Sequence, residues 1–291
     1  MTNAAVTVPL ADGRRLGYHE FGDRGGKPCV HIPGTPASGV VGGIYDRAAE
    51  RAGVRWLSVD KPGCGASDVD PQRSLPRHAA DLAELADHLG LDRFAVAGES
   101  GGGPHALAAA HQLGHRLSTC LVLSGVGPPH AFSPSDGMKP ANRRMFALGR
   151  HAPWLLRAEL DALERVLKDP DGAREWERQL RGELPEADQR AWAQFENRLL
   201  RPAAQDAVRN GGHAVAQELA VLAVPWGFAL GEIACDVELW HGTADVNVPV
   251  EVARRTAGEI PGCRAHIVED EGHCLPAVRQ EEIMTAVRMA D

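Results

Sequence analysis

The chain has 291 residues, of which 44% are hydrophobic and 24% charged, and a formal net charge of −8. That length and apolar content suffice for one sizeable core, while the acidic balance disfavours nucleic-acid and anionic-membrane partners, which select basic surfaces. No apolar run approaches the roughly 18 residues of a membrane helix, so no membrane partner is expected.

The opening MTNAAVTVPLADGRRL lacks a basic segment followed by an apolar one, and no secretory signal is expected. Cys29, Cys64, Cys120, Cys235, Cys263 and Cys274 show no CxxC spacing. They form neither a zinc-ligand pattern nor a disulfide framework and suit a reducing cytoplasm.

Residues 5–22 (AVTVPLADGRRLGYHEFG) alternate apolar positions around Asp12-Gly13, the pattern of a hairpin. Short apolar runs follow at 29–34, 54–60, 93–98 and 117–125, each ending near Gly or Asp, as strands buried on both faces of a parallel sheet do. Between them, Leu82, Leu85, Ala86 and Leu89 repeat at helical spacing and Gly90 closes the segment; 102–115 is Ala-rich and also helical. The alternation resumes with strands at 237–242 and 264–270 and a last helix from about Pro276 to Met289. This predicts an α/β fold with a doubly wound, mostly parallel sheet.

The rhythm breaks between Ser133 and Pro225, where charged amphipathic helical stretches such as 152–169 and 187–201 replace strands. The segment is read as a helical cap over 133–225, with residues 1–132 and 226–291 as the core. Trp154, Trp176, Trp192, Trp226, Phe132, Phe146, Phe195 and Phe228 lie in or beside it. They either fill the core of the helical layer or wall a substrate pocket.

Gly98-Glu99-Ser100-Gly101-Gly102 matches G-x-S-x-G between a strand and a helix, the context in which this motif exposes a nucleophilic serine on a strained turn. The helix N-terminus offers the Gly101 N–H to a developing oxyanion. A serine needs a base, and the base an acid. Asp245 follows the 237–242 strand and His273 the 264–270 strand, so both stand in loops at carboxyl ends beside the Ser100 turn. Asp236 precedes its strand, at the wrong end of the sheet, and Asp270 is too close in sequence to reach the imidazole of His273. The expected triad is therefore Ser100, His273 and Asp245. No H-E-x-x-H and no G-x-G-x-x-G after a strand occurs, so neither a metal nor a cofactor is expected.

PGTPAS (33–38), DKPGCGASD (60–68), GESGGG (98–103), HGTADVNVP (241–249) and EGH (271–273) together resemble the capped, esterase/lipase-like α/β-hydrolases over nearly the whole chain. The resemblance implies a second oxyanion N–H at Thr35, beside Gly101. Pro33 stands where the family usually has a histidine that stiffens this loop, which leaves His31 as the candidate substitute. Asp60 and Ser67 are read as scaffold and Cys64 as packing. Glu99, Trp154, Phe132 and Trp226 form the candidate substrate-binding set.

A serine at the elbow speaks against epoxide hydrolases and haloalkane dehalogenases. The elbow also lacks the tryptophan usual in proline iminopeptidases and the Ser-Met pair of haloperoxidase-like esterases. The implied activity is hydrolysis of a small-molecule carboxylic ester, thioester or lactone. The alternatives are a biosynthetic C–C bond hydrolase, acyl transferase or cyclase using the same triad, and a non-catalytic ligand-binding receptor.

Overall fold

The computed structural model describes residues 4–194 and 199–290; Phe195 lies outside them. Eight strands form one sheet: β1 (Val6–Pro9), β2 (Arg15–Gly22), β3 (Lys27–Ile32), β4 (Val54–Val59), β5 (Phe94–Glu99), β6 (Leu117–Leu123), β7 (Val237–Gly242) and β8 (Arg264–Val268). Their order is β1-β2-β4-β3-β5-β6-β7-β8. The pairs β1–β2 and β2–β4 are antiparallel and the remaining pairs are parallel. The expected hairpin is β1–β2, with Gly13 taking φ +89° at its tip, a conformation that glycine adopts without steric cost.

Helices cover both faces, as a doubly wound sheet requires. One face carries α1 (Asp46–Ala52) and α12 (Gln280–Met289), with Trp56, Tyr45, Leu121, Ile283 and Met284 buried between. The other carries α2 (Leu75–His88), α3 (Gly103–Leu113) and α10 (Val250–Glu259), with Val30, Val96, Leu107 and Leu239 buried between helices and sheet. The apolar stripe predicted for α2 is the buried one: Leu82, Leu85 and Ala86 are all solvent-inaccessible. The last helix is a correction. It is broken into α11 (Leu275–Val278) and α12, because Arg279 leaves the helical region (φ −100°, ψ 26°) and the backbone ladder restarts after it.

Between β6 and β7 the described residues contain helices and no strand: α4 (Pro140–His151), α5 (Pro153–Lys168), α6 (Pro170–Gly182), α7 (Glu186–Gln194), α8 (Leu200–Ala207) and α9 (His213–Leu222). Prolines open α4, α5 and α6, where the missing N–H costs nothing. This insert has an apolar core of its own around Leu156, Leu160, Leu167, Val215 and Leu219. Backbone hydrogen bonds tie it to the loops at the carboxyl ends of the strands. Ser38 donates to Ala203 (3.2 Å), Gly65 to Asp206 (3.3 Å) and Lys139 to Val246 (2.7 Å).

Candidate active site

The loops that follow the parallel strands meet at the carboxyl edge of the sheet, and the one after β5 carries Ser100. Its φ is +51°, in the left-handed region that a side-chain-bearing residue adopts at a cost of about 1–2 kcal/mol. The flanking glycines are explained by contact: a Cβ on Gly98 would stand 2.3 Å from the Gly102 carbonyl oxygen, and one on Gly102 would stand 2.1 Å from that of Ile32. The strained turn is thus wedged between β3 and the start of α3.

The loops after β7 and β8 bring the other two expected residues to this turn. His273 Nε2 lies 3.0 Å from Ser100 Oγ, and His273 Nδ1 lies 2.7 Å from Asp245 Oδ2. The other Asp245 oxygen accepts the backbone N–H groups of Asn247 (2.8 Å) and Val248 (2.9 Å). His241 Nε2, 3.2 Å from Asp245 Oδ2, braces the carboxylate from below while donating to the Val248 carbonyl. Burial alone would raise the Asp245 pKa, but the charge on His273 and hydrogen bonds from His241 and His273 hold it well below the usual carboxylate range. Burial likewise disfavours a charged imidazole. The Asp245 carboxylate, with Asp188 and Glu99 beyond it, outweighs that and holds His273 up at about 9. Of the three acids only Asp245 bonds the imidazole: the Asp236 carbonyl accepts from Cys120 at the opposite edge of the sheet, and the Asp270 carbonyl accepts from Arg190.

On the other side of Ser100 lies the loop after β3. A Cβ on Gly34 would come within 3.2 Å of Ser100 Cβ, and one on Gly101 within 2.3 Å of Thr35 Oγ1, so the loop lies against the elbow with Gly34 beside Ser100 and Thr35 beside Gly101. His31 does not stiffen this loop. It is fully buried beneath it, with Nδ1 on Ser58 Oγ (2.8 Å) and its ring stacked on Trp56. Lys61 takes that part instead. Its ammonium donates to the carbonyls of Pro33 (2.8 Å) and Gly34 (2.6 Å) and to Thr35 Oγ1 (3.0 Å), and pairs with Glu218 of α9 at 2.7 Å. Asp60 is scaffold: its two oxygens accept from Gly39 (2.7 Å) and Ala66 (2.8 Å). His19 and Asp206 each bring an atom within 4.8 Å of it.

The expected substrate-binding residues disperse. Trp154 is a correction: it is 72% exposed, because it sits on the far side of α5 from the stripe Leu156, Leu160 and Leu167 that the insert buries. Trp226 is 6% exposed, its Nε1 donating to the Leu222 carbonyl (3.4 Å) and its ring against Phe228. Glu99 turns away from Ser100 to accept from Tyr45 Oη (3.0 Å), with His31 Nε2 3.6 Å off. Phe132 lines an apolar cavity of about 250 Å³ with Met138, Phe146 and Leu222. The Leu222 side chain also reaches the Gly101 side of the elbow. The structure adds a carboxylate that sequence reasoning missed: Asp188 of α7 is fully buried and accepts the backbone N–H of Cys274 (2.7 Å), directly after His273.

Residues 29–286 match the model of the family described as "Alpha/beta hydrolase family". The chain belongs to the α/β hydrolase family. A probable proline iminopeptidase from Streptomyces coelicolor is 34% identical over 127 residues, 41% of this chain and 39% of that one. A 2-hydroxy-6-oxo-6-phenylhexa-2,4-dienoate hydrolase from Comamonas testosteroni is 33% identical over 130 residues, 42% and 45% of the two chains. The chain thus spans under half the length of these relatives. Among solved structures, a putative aryl esterase from Burkholderia cenocepacia superposes with a TM-score of 0.69 at 21% identity, over 98% of both chains. No helix among the described residues is long and apolar enough to cross a membrane.

Proposed function

We propose that the protein is a serine hydrolase of small-molecule carboxylic esters, thioesters or lactones, acting through Ser100, His273 and Asp245. The observation that carries this reading is the unbroken relay of 3.0 Å from Ser100 Oγ to His273 Nε2 and 2.7 Å from His273 Nδ1 to Asp245. Ionised Asp245 accepts the Nδ1 proton, which leaves the Nε2 lone pair facing the serine hydroxyl. Ser100 attacks the carbonyl as His273 takes its proton. The N–H groups of Thr35 and Gly101 hold the oxyanion, each worth about 3 kcal/mol. His273 then protonates the leaving group, and water repeats the sequence on the acyl-enzyme.

The insert at 133–225 serves as the cap, and the apolar cavity behind Leu222 suits the non-reacting part of a small acyl substrate. Neither a cofactor nor a metal enters this chemistry. A second reading, hydrolysis of a C–C bond next to a carbonyl, is favoured by the likeness to the Comamonas hydrolase. A panel of p-nitrophenyl esters from acetate to octanoate separates the two. Turnover that is lost in Ser100→Ala supports the esterase. Inertness toward the panel with Ser100 still reactive toward a fluorophosphonate favours C–C cleavage, and inertness to both favours a binding protein.

A further inference from the structure

A lysine and a glutamate that are both sealed from solvent are costly to bury, and a buried ion pair is weak evidence of a gain in stability. Lys61 and Glu218 are 0% and 1% exposed at the side chain, and they come from different layers: Lys61 from the loop after β4, Glu218 from α9 of the insert. The geometry they fix can be read from the peptide planes. In a trans peptide the carbonyl and the following N–H point in opposite directions. The Gly34 carbonyl, drawn to Lys61 Nζ at 2.6 Å, therefore turns the Thr35 N–H away from Lys61. The Pro33 carbonyl, held at 2.8 Å, fixes the preceding plane in the same way. Thr35 Oγ1 completes a ring, accepting from Lys61 (3.0 Å) and donating to Glu218 Oε1 (2.7 Å). Behind Glu218, Arg73 Nη2 lies 3.4 Å from Oε2 and is itself anchored on the carbonyls of Pro62 and Ala214 (3.0 Å each).

We infer that Lys61 and Glu218 are positioning residues that aim the Thr35 N–H at the oxyanion, so that the insert takes part in transition-state stabilisation and does more than cover the substrate. This rests on the assignment of Ser100 and Thr35 made above. Displacing an oxyanion donor by about an ångström costs on the order of a hundredfold in rate while leaving ground-state binding largely intact.

The test compares wild type, Lys61→Met and Glu218→Gln for p-nitrophenyl butyrate kinetics, affinity for phenylboronic acid, whose tetrahedral adduct places an oxygen where the oxyanion forms, and unfolding midpoint. Expected is a fall in kcat of about a hundredfold for Lys61→Met and about tenfold for Glu218→Gln, with KM within threefold and boronate affinity falling in parallel with kcat. The double variant should be no slower than Lys61→Met alone, since both act through one loop. A purely structural pair would lower the unfolding midpoint and leave kcat and boronate affinity at wild-type values; that result overturns the inference and leaves the Ser100 assignment standing. A wild-type protein that neither turns over the ester nor reacts with a fluorophosphonate overturns both. If the buried-charge variants do not fold, Thr35→Val decides. It removes only the hydroxyl between Lys61 and Glu218, and a kcat and boronate affinity reduced about tenfold support the inference, while wild-type values overturn it.

Discussion

The sheet edge and the helical insert contribute to the same site in different ways. The edge supplies Ser100, Asp245 and His273 from loops whose position follows from strand order alone. The insert supplies buried acids: Asp188 accepts the backbone N–H after His273, and Glu218 holds the side chains of Lys61 and Thr35. One region brings the proposed reacting groups and the other restrains the loops that carry them. A fold that merely caps its sheet would have no need to bury carboxylates at both ends of the relay.

The sharpest way to break this division is at the edge. Asp245→Asn, which keeps the shape and loses the charge that sets the His273 tautomer, is expected to lower kcat on p-nitrophenyl esters by about 10⁴-fold. Unfolding by heat should show a fold still intact, because the substituted side chain can still accept from Asn247 and Val248. Within the insert the contrast is one of stability. Leu156→Ala, at a side chain 1% exposed, should cost about 2–5 kcal/mol in denaturant melts.

A subtler effect distinguishes Asp188 from a spectator. In the proposed mechanism the base form of His273 is the working one, and the neighbouring carboxylates hold its pKa up at about 9, so kcat/KM should climb with pH until about 9. Asp245, Asp188 and Glu99 all favour the charged imidazole. Asp188→Asn removes one of these charges, so the limb should move to lower pH; a limb that stays in place would show that Asp188 acts only through Cys274. The smallest effect is expected at Trp154, where replacement by Ala should change stability by less than about 0.5 kcal/mol and leave kcat as it was.

What was legible in the chain divides along the same line. The strands from 27 to 123 announce themselves because parallel strands buried on both faces read as unbroken apolar runs, and the elbow does so because close backbone approach at Gly98 and Gly102 admits nothing larger. The relay was legible because each member follows a strand end. The insert was legible as helices in place of strands between β6 and β7 but not in its contacts, since those depend on which face of each helix turns inward. Trp154 shows the difficulty: an aromatic near an expected pocket proves to lie on the outer face of α5. A usable signal did exist at Glu218, the lone carboxylate in the mostly apolar run of α9, HAVAQELAVL. A charge buried in such a helix requires a partner. Lys61, a cation between Asp60 and Pro62 at the mouth of the sheet, was the matching half.

The most direct measurement is mass spectrometry of the intact and digested protein after exposure to a fluorophosphonate. We expect one adduct per chain, located on Ser100, absent in Ser100→Ala and formed far more slowly in Asp245→Asn. No adduct on the folded wild-type protein, or one on a different residue, would contradict the relay on which the proposed hydrolysis depends.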